Sequence, residues 1–152
     1  MNAGVARSIA NFSSRWRRHF QHSRRSPAHL RLGTRGEKLA CSFLRRQGYK
    51  ILYRNFRGRR GGEVDIVCRD DDTLVFVEVK ARTGQDFGRP ADAINRAKRK
   101  LISRGALAWL QLLDNPDILV RFDVVEIVLG QDGEPHIELV RDAFQLSTPY
   151  IY

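Results

Sequence analysis

Asp65, Glu78 and Lys80 are the side chains of this sequence whose types and spacing best suit chemistry. They lie in two apolar segments, GEVDIVC and LVFVEVK, which an acidic turn at residues 70–72 separates. Carboxylates that lie side by side favour hard divalent cations, which prefer oxygen ligands, so Mg²⁺ or Mn²⁺ is the expected cofactor. An ammonium group beside them could stabilise negative charge that develops during a reaction. The residue types therefore suggest a metal-binding or catalytic site, if the fold brings the three together.

An antiparallel hairpin is expected to bring Asp65, Glu78 and Lys80 together. In the register that places Ile66 opposite Val77, one face of the hairpin is wholly apolar, which is the pattern of a strand pair with one buried face. A two-residue turn at residues 71–72 produces this register, and so does a four-residue loop. The apolar face then pairs Val64 with Val79, Ile66 with Val77 and Cys68 with Val75. The opposite face pairs Val67 with Phe76, Asp65 with Glu78 and Glu63 with Lys80.

Two opposed carboxylates destabilise a sheet, because their Cβ atoms lie only about 4.5–5.5 Å apart. Partial burial beside Val67 and Phe76 would raise the pKa of at least one of them unless a cation is present. The pair Glu63–Lys80 is adequately explained as a cross-strand ion pair, and a half-exposed hairpin often carries charge. That structural interpretation leaves Asp65 opposite Glu78 unexplained, so we interpret these two as a metal-binding or catalytic pair.

The remaining pattern predicts the elements that position this hairpin. Thr34 and Glu37 have the spacing of a capping box, which would open a helix that Gly48 ends. Strands are expected over residues 49–56, 63–69, 73–81, 119–129 and 136–141. A long helix is expected from Pro90 to about residue 113, with residues 94, 97, 101, 108 and 112 on its apolar face. The order α-β-β-β-α-β-β predicts an α/β fold with a mixed central sheet flanked by helices.

The charge is uneven along the chain, whose net charge is +10 over 152 residues. Residues 1–36 hold eight arginines and no acid, while the rest is nearly balanced. We therefore divide the chain into a basic and disordered tail (1–31), a domain (32–145) and a C-terminal tail (146–152). The alternatives for the basic tail are a solvated or partner-ordered segment, a nucleic-acid contact, and an organellar targeting segment.

Composition excludes several other classes of protein. No apolar run approaches the roughly 20 residues that a membrane-spanning helix needs, so no membrane partner is expected. Cys41 and Cys68 are too few for a disulfide scaffold, and neither forms the CxxC of a structural zinc site. They are expected to be core thiols in a protein of the reducing cytoplasm.

Several short segments, in order, resemble the YraN family of uncharacterised bacterial proteins. This family falls in the Holliday-junction-resolvase-like branch of the PD-(D/E)XK nuclease superfamily. The resemblance covers about residues 32–129. Its segments are Gly36-Glu37, Gly48-Tyr49, Arg54-Asn55-Phe56, Gly62-Glu63-Val64-Asp65-Ile66, Phe76-Val77-Glu78-Val79-Lys80-Ala81-Arg82, Phe87-Gly88 and Arg121-Phe122-Asp123.

The resemblance implies a restriction-endonuclease-like αβββαβ core with a metal-dependent nuclease centre. Asp65 and Glu78 would be the metal ligands, and Lys80 would orient or activate the attacking water. Glu37 would be the additional acid that the family carries on its first helix, a role that competes with its place in the capping box. The proline expected before Asp65 is Val64 in this sequence.

The expected function is that of a Mg²⁺-dependent endonuclease that hydrolyses DNA phosphodiester bonds, with branched or damaged DNA among the candidate substrates. Cations that flank the site are expected to bind the phosphate backbone, each with solvated surface charge as its alternative. A nucleic-acid-binding module that has lost turnover is the rival, and a scaffold whose basic tail recruits a protein is a third possibility. The resemblance leaves a homodimer open. The expected DNA-binding cations are Arg57, Arg59, Arg60, Arg82, Arg89 and Lys98.

Overall fold

The computed structural model describes residues 28–84, 94–130 and 134–146. Its elements follow the expected order of helices and strands. They are α1 (Ala28–Arg46), β1 (Lys50–Arg57), β2 (Glu63–Asp70), β3 (Thr73–Thr83), α2 (Arg96–Leu112), β4 (Leu119–Leu129) and β5 (Pro135–Val140).

The five strands form one mixed sheet in the order β1-β2-β3-β4-β5. β3 and β4 pair in parallel, and the other neighbours pair antiparallel. A parallel pair needs a crossover connection, and α2 provides it between β3 and β4. Helix α1 packs on one face of the sheet and α2 on the other. The fold is therefore the α/β, restriction-endonuclease-like arrangement that the sequence predicts.

Each face of the sheet has its own core. The α2-side core includes Val67, Phe76 and Trp109, and the α1-side core includes Ile66 and Val77. The β2–β3 hairpin has the predicted register, with Ile66 opposite Val77, Val67 opposite Phe76 and Cys68 opposite Val75. Its turn is the two-residue one, because Asp70 pairs with Thr73. The buried thiols of Cys41 and Cys68 lie in the α1-side core, as expected.

Val64 is an exception to the predicted faces. It packs in the α2-side core instead of sharing the α1 face with Ile66. Its partner on β1 is Phe56, which also packs in the α2-side core. Asn55, just before Phe56, has a φ of 54°. A residue in this left-handed region interrupts the alternation of a strand, so Phe56 turns toward α2 and packs there with Val64.

The predicted start of the first helix is wrong. α1 already includes Ala28, so Thr34 and Glu37 lie inside it and do not form a capping box. The boundary predicted between residues 31 and 32 also falls within α1. Residues 1–27 and 147–152 lie outside the described residues. They include most of the two predicted tails, 1–31 and 146–152.

The second helix differs from its prediction in start and in buried face. It begins at Arg96, and its N-cap is Asn95, whose Oδ1 accepts a hydrogen bond from Lys98 N at 2.9 Å. Pro90 lies outside the described residues. The predicted apolar face is wrong at Ala97 and Leu112, which are exposed. The buried residues of the helix are Ile102, Ser103, Gly105, Ala106, Trp109 and Leu110.

Candidate active site

Asp65 and Glu78 lie on adjacent antiparallel strands, as the register predicts. The backbone pairing of these two described strands ends at Ile66 and Val77, one step before the acids. Beyond that point the Asp65 side chain bridges the strands, because its Oδ2 accepts a hydrogen bond from Val79 N at 2.9 Å. The two acids therefore stand where the hairpin opens, with one Asp65 oxygen committed to the backbone of β3.

Glu78 is a buried carboxylate between two ammonium groups. It is 3% exposed, on a central strand of the sheet whose face is covered here by Lys98 of α2. Lys80 Nζ lies 3.1 Å from its Oε1, and Lys98 Nζ lies 3.3 Å from its Oε2. The contact with Lys98 lacks hydrogen-bond geometry, so Oε2 is a buried oxygen without a hydrogen bond. Burial, and then the charge of Asp65, raise the pKa of Glu78 to about 7.

Glu63 pairs with Lys98 and not with Lys80, so that predicted pair is wrong. Lys98 Nζ donates a hydrogen bond to Glu63 Oε1 at 2.6 Å. This hydrogen bond lowers the pKa of Glu63. Burial acts to lower the pKa of Lys98, but the hydrogen bond to Glu63 and the charges of Glu78 and Asp65 raise it overall. The site is thus one cluster of three carboxylates and two ammonium groups.

Close backbone packing brings Lys98 to this cluster. A Cβ atom at Gly105 of α2 would lie 3.0 Å from the backbone N and C of Glu63 and 2.9 Å from a Val64 methyl. A Cβ at Gly62, whose φ is 88°, would lie 2.4 Å from Gly105 N. Only glycine fits at this distance. The helix therefore lies against the start of β2, and its first turn delivers Lys98 to Glu63 and Glu78.

Glu37 is not part of this cluster's hydrogen bonds and ion pairs. Its Oε2 accepts a hydrogen bond from Asn55 Nδ2 at 2.8 Å, so it ties α1 to β1. α1 comes close to β3 one residue earlier, because a Cβ at Gly36 would lie 2.5 Å from Ala81 Cβ. The helix acid predicted as catalytic is therefore near the hairpin, while its partner is an amide of β1.

The expected DNA-binding cations fall into different environments. Arg57, Arg59 and Arg60 are exposed at the end of β1 and in the loop that follows. Arg82 is in an ion pair with the buried Glu126, 2.7 Å apart, so its charge is neutralised within the sheet. Lys98 belongs to the carboxylate cluster. Arg89 lies outside the described residues.

Sequence reasoning missed the role of Lys98 and the buried Glu126. A signal for Lys98 was present in α2, whose first turn contains no acid. Cations at a helix N-terminus oppose the helix dipole, at a cost of about 0.3–1 kcal/mol each. Their accumulation there indicates that something outside the helix uses them. The first five residues of α2 include Arg96, Lys98, Arg99 and Lys100.

A second polar network lies at the turn end of the hairpin. Asp123 on β4 is 0% exposed, and its carboxylate accepts hydrogen bonds from Arg121 at 2.8 and 2.9 Å. Tyr49 O–H donates to it at 3.3 Å, and Asp142 N donates at 3.0 Å. Arg121 also reaches Asp70 at 2.7 Å. This network joins the residue before β1 to β2, β4 and the segment after β5, so we interpret it as structural.

The carboxylate cluster fits a divalent cation of the magnesium type. Within the described ranges, no three acidic, histidine or cysteine side chains form a group that could hold a metal ion by themselves. Mg²⁺ does not need such a cage, because it keeps several waters and binds through one or two carboxylates plus substrate phosphates. Asp65 and Glu78 supply two carboxylates, and the buried Glu78 Oε2 has no hydrogen bond. These residues would hold the ion.

Fold and site together define a restriction-endonuclease-like α/β chain with an Asp and a Glu-x-Lys on adjacent strands. The chain belongs to the uncharacterised protein family UPF0102, whose family model matches residues 36–127. This is the YraN family that the sequence segments resemble.

Relatives in this family match most of the chain. It is 49% identical to the UPF0102 protein of Geobacter sulfurreducens over 116 residues, 76% of this chain and 90% of that protein. It is 46% identical to the UPF0102 protein of Rhodococcus opacus over 115 residues, 76% of this chain and 97% of that protein. Neither helix among the described residues has the length and apolar character that a membrane span requires.

Proposed function

We propose that this protein is a metal-dependent nuclease that hydrolyses phosphodiester bonds of DNA. The observation that carries the proposal is the buried Glu78 carboxylate, which stands beside Asp65 and between the ammonium groups of Lys80 and Lys98. A buried and strongly perturbed carboxylate with specific charge partners is typical of a functional site. Neighbouring acids at this place repel each other, and a metal-binding role explains why both are present.

The residues have complementary roles in this reaction. Asp65 and Glu78 would hold a divalent cation, which would neutralise charge on the scissile phosphate and lower the pKa of a water molecule. Lys80, two residues after Glu78 and 34% exposed, reaches the same site from the solvent side. Its ammonium group would orient the attacking water and stabilise charge that develops on the phosphate. Val79 N–H fixes the orientation of Asp65 through Oδ2.

An exposed basic surface beside the site supports a polyanionic substrate. The loop of residues 58–62 packs directly on α2, so its arginines and those of the helix belong to one surface. On α2, positions 96, 100 and 104 are four residues apart and share one exposed face. Among the described residues, no ion pair involves any of its six members. This basic surface consists of Arg57, Arg59, Arg60, Arg96, Lys100 and Arg104.

A DNA-binding module without turnover is the second candidate function. The observation in its favour is that Lys80 and Lys98 together already neutralise Glu78 without a metal ion. In that case the basic surface would bind the phosphate backbone, and the carboxylate cluster would only fasten α2 to the sheet.

Cleavage assays distinguish the two candidates. The full chain is incubated with linear, branched and single-stranded DNA and with RNA, in Mg²⁺, in Mn²⁺ and in EDTA. We expect metal-dependent cleavage of DNA that Asp65→Asn and Lys80→Ala abolish, while Lys50→Ala, an exposed lysine at the start of β1, retains it. Binding of each variant is measured in parallel.

Binding without cleavage of any substrate in either metal would favour the silent module. Cleavage that persists equally in Asp65→Asn would contradict the proposed site. Preference for RNA over DNA would retain the chemistry and change the substrate.

A further inference from the structure

We propose that Lys98 is a positioning residue that occupies the cation's place at Glu78 and must leave it when a divalent cation binds. This inference rests on the proposed function, because it concerns the same carboxylates. In this proposal the two acids of the hairpin hold the metal ion, and Lys98 of α2 competes with it.

The positions of the atoms suggest the competition. Lys98 Nζ lies 3.3 Å from Glu78 Oε2, the buried oxygen that has no hydrogen bond. A magnesium ion bound to this oxygen would lie about 2.0–2.1 Å from it. A dication and an ammonium group at the same oxygen repel each other strongly, because the surroundings are buried and poorly screened. Both cannot stay at Oε2.

Glu63 gives the ammonium group another place to go. Its contact with Lys98 is the shorter of the two, at 2.6 Å, and it is a hydrogen bond. Exposure rises outward through the cluster, from 3% at the Glu78 side chain to 20% at Lys98 and 38% at Glu63. Lys98 can therefore leave Glu78 and keep an ion pair at the more exposed rim. The exchange removes one contact and leaves no buried charge unpaired.

The alternative is that Lys98 only anchors α2 to the sheet through its ion pairs with Glu63 and Glu78. Both roles predict that Lys98→Met destabilises the metal-free protein, because Glu63 and Glu78 lose a cation. They differ for the metal. If Lys98 only anchors α2, its removal loosens the site and weakens metal binding. If Lys98 competes with the metal ion, its removal leaves Glu78 Oε2 available and tightens metal binding.

The experiment measures Mn²⁺ and Mg²⁺ binding by calorimetry, and the metal-induced shift in melting temperature, for the full chain. The variants are Lys98→Met, Lys98→Gln, Glu63→Gln and the double variant, with Lys50→Met as the matched loss of one exposed charge. We expect Lys98→Met to lower the metal-free melting temperature, to lower the Kd for Mn²⁺ about tenfold or more, and to enlarge the Mn²⁺-induced shift. Lys98→Gln keeps a polar side chain and should also lower the Kd for Mn²⁺. It provides the test if Lys98→Met fails to fold. Lys50→Met should leave the Kd unchanged.

Glu63→Gln adds a test of the exchange itself. Without the Glu63 charge, Lys98 loses its second place and holds Glu78 more firmly, so the Kd for Mn²⁺ should rise severalfold. If Glu63 acts through Lys98, this effect disappears in the Lys98→Met background. If Glu63 is itself a ligand, the effect persists there, and the exchange is overturned.

The outcomes separate this inference from the proposed function. If the wild type binds metal and the Kd is unchanged or higher in both Lys98 variants, the inference is overturned and the proposed metal site stands. An absence of metal binding in the wild type and in both Lys98 variants would overturn the proposed function and the inference with it.

Discussion

At the scale of single residues, the placement of Glu78 determines the properties of the site. Glu78 lies on the middle strand of the sheet, and its carboxylate is almost fully removed from water. Two ammonium groups compensate the charge, and the nearby Asp65 opposes it. A carboxylate in this balance gains or loses its charge easily, which connects the stability of the metal-free fold with pH.

The first prediction concerns this connection. Burial and Asp65 raise the pKa of Glu78 to about 7 in the folded chain. In the unfolded chain this pKa has its ordinary value of 4.5, so between pH 4.5 and about pH 7 the folded chain holds a proton that the unfolded chain has released. Stability from this group is therefore present at low pH and is lost as the pH rises from about 4.5 to about 7. Glu78→Gln lacks this loss. In metal-free buffer, its free energy of unfolding relative to wild type should rise between about pH 4.5 and about pH 7 and level off above that.

Glu134→Gln, which removes a charge from an exposed position, is the matched control for chemical denaturation at each pH. The same slope in both variants, or a difference for Glu78→Gln that does not change with pH, would show that Glu78 remains charged across the whole range.

The second prediction separates the charge of Asp65 from its hydrogen bond. Asp65→Asn and Asp65→Ala both remove the charge next to Glu78, but only asparagine keeps an oxygen that can accept the Val79 N–H. The asparagine variant should therefore be more stable than the alanine variant by about 1 kcal/mol in metal-free buffer. Both should lose the Mg²⁺-induced rise in melting temperature. Equal stability of the two variants would mean that the bond to Val79 contributes nothing.

At the scale of elements, the sequence predicted the hairpin well and the helices poorly. Strand alternation is local, and a two-residue turn fixes the register, so the pairing of Ile66 with Val77 followed from the apolar pattern alone. The buried face of α2 depends on where the helix crosses the sheet. A glycine-to-backbone contact at Gly105 decides that crossing, so Ala97 and Leu112 became exposed against expectation.

The same reason explains which part of the site could be predicted. Asp65, Glu78 and Lys80 belong to one hairpin, and their spacing places them together. Lys98 follows Glu63 by 35 positions along the chain and meets it only through the packing of α2. A pattern within one element cannot show such a contact. The predicted start of α1 was wrong because Thr34 and Glu37 have capping-box spacing inside a longer helix.

The third prediction tests the close contact between α2 and β2. Gly105→Ala places a Cβ within 3.0 Å of the Glu63 backbone, so the helix must move outward. We expect a loss of about 1–3 kcal/mol in the free energy of unfolding, as for other overpacked sites. Because the movement carries Lys98 away from Glu63, the metal affinity should change as well.

Gly33→Ala is the matched control, because Gly33 lies in α1 and a Cβ there would meet nothing within 4 Å. Alanine in a helix is favoured over glycine by about 0.5–1 kcal/mol, so this variant should be more stable than wild type. A stabilising effect of both substitutions, measured by chemical denaturation, would contradict the tight approach of α2 to β2.

At the scale of the whole molecule, positive charge has two separate sources. The basic surface lies on the described domain, next to the carboxylate cluster. Residues 1–27 carry six arginines and no acid, which is six of the ten net charges. Either could bind a phosphate backbone, and the basic surface packs beside Asp65 and Glu78. Affinity and cleavage should therefore depend differently on the two.

The last prediction separates these two sources by their dependence on salt. The logarithm of a DNA-binding constant falls linearly with the logarithm of the salt concentration, with a slope of about −0.9 for each phosphate contact. Deleting residues 1–27 should weaken binding and flatten the slope, yet leave metal-dependent cleavage measurable at low salt. Arg59→Ala with Arg60→Ala should flatten the slope by about two contacts and also reduce cleavage, because DNA then sits less firmly over Asp65 and Glu78. Fluorescence anisotropy across a salt series, with cleavage rates on the same DNA, measures both effects. If the shortened chain binds with the affinity and slope of the full chain, residues 1–27 make no contact with DNA, and a targeting or partner-binding role then explains their charge better.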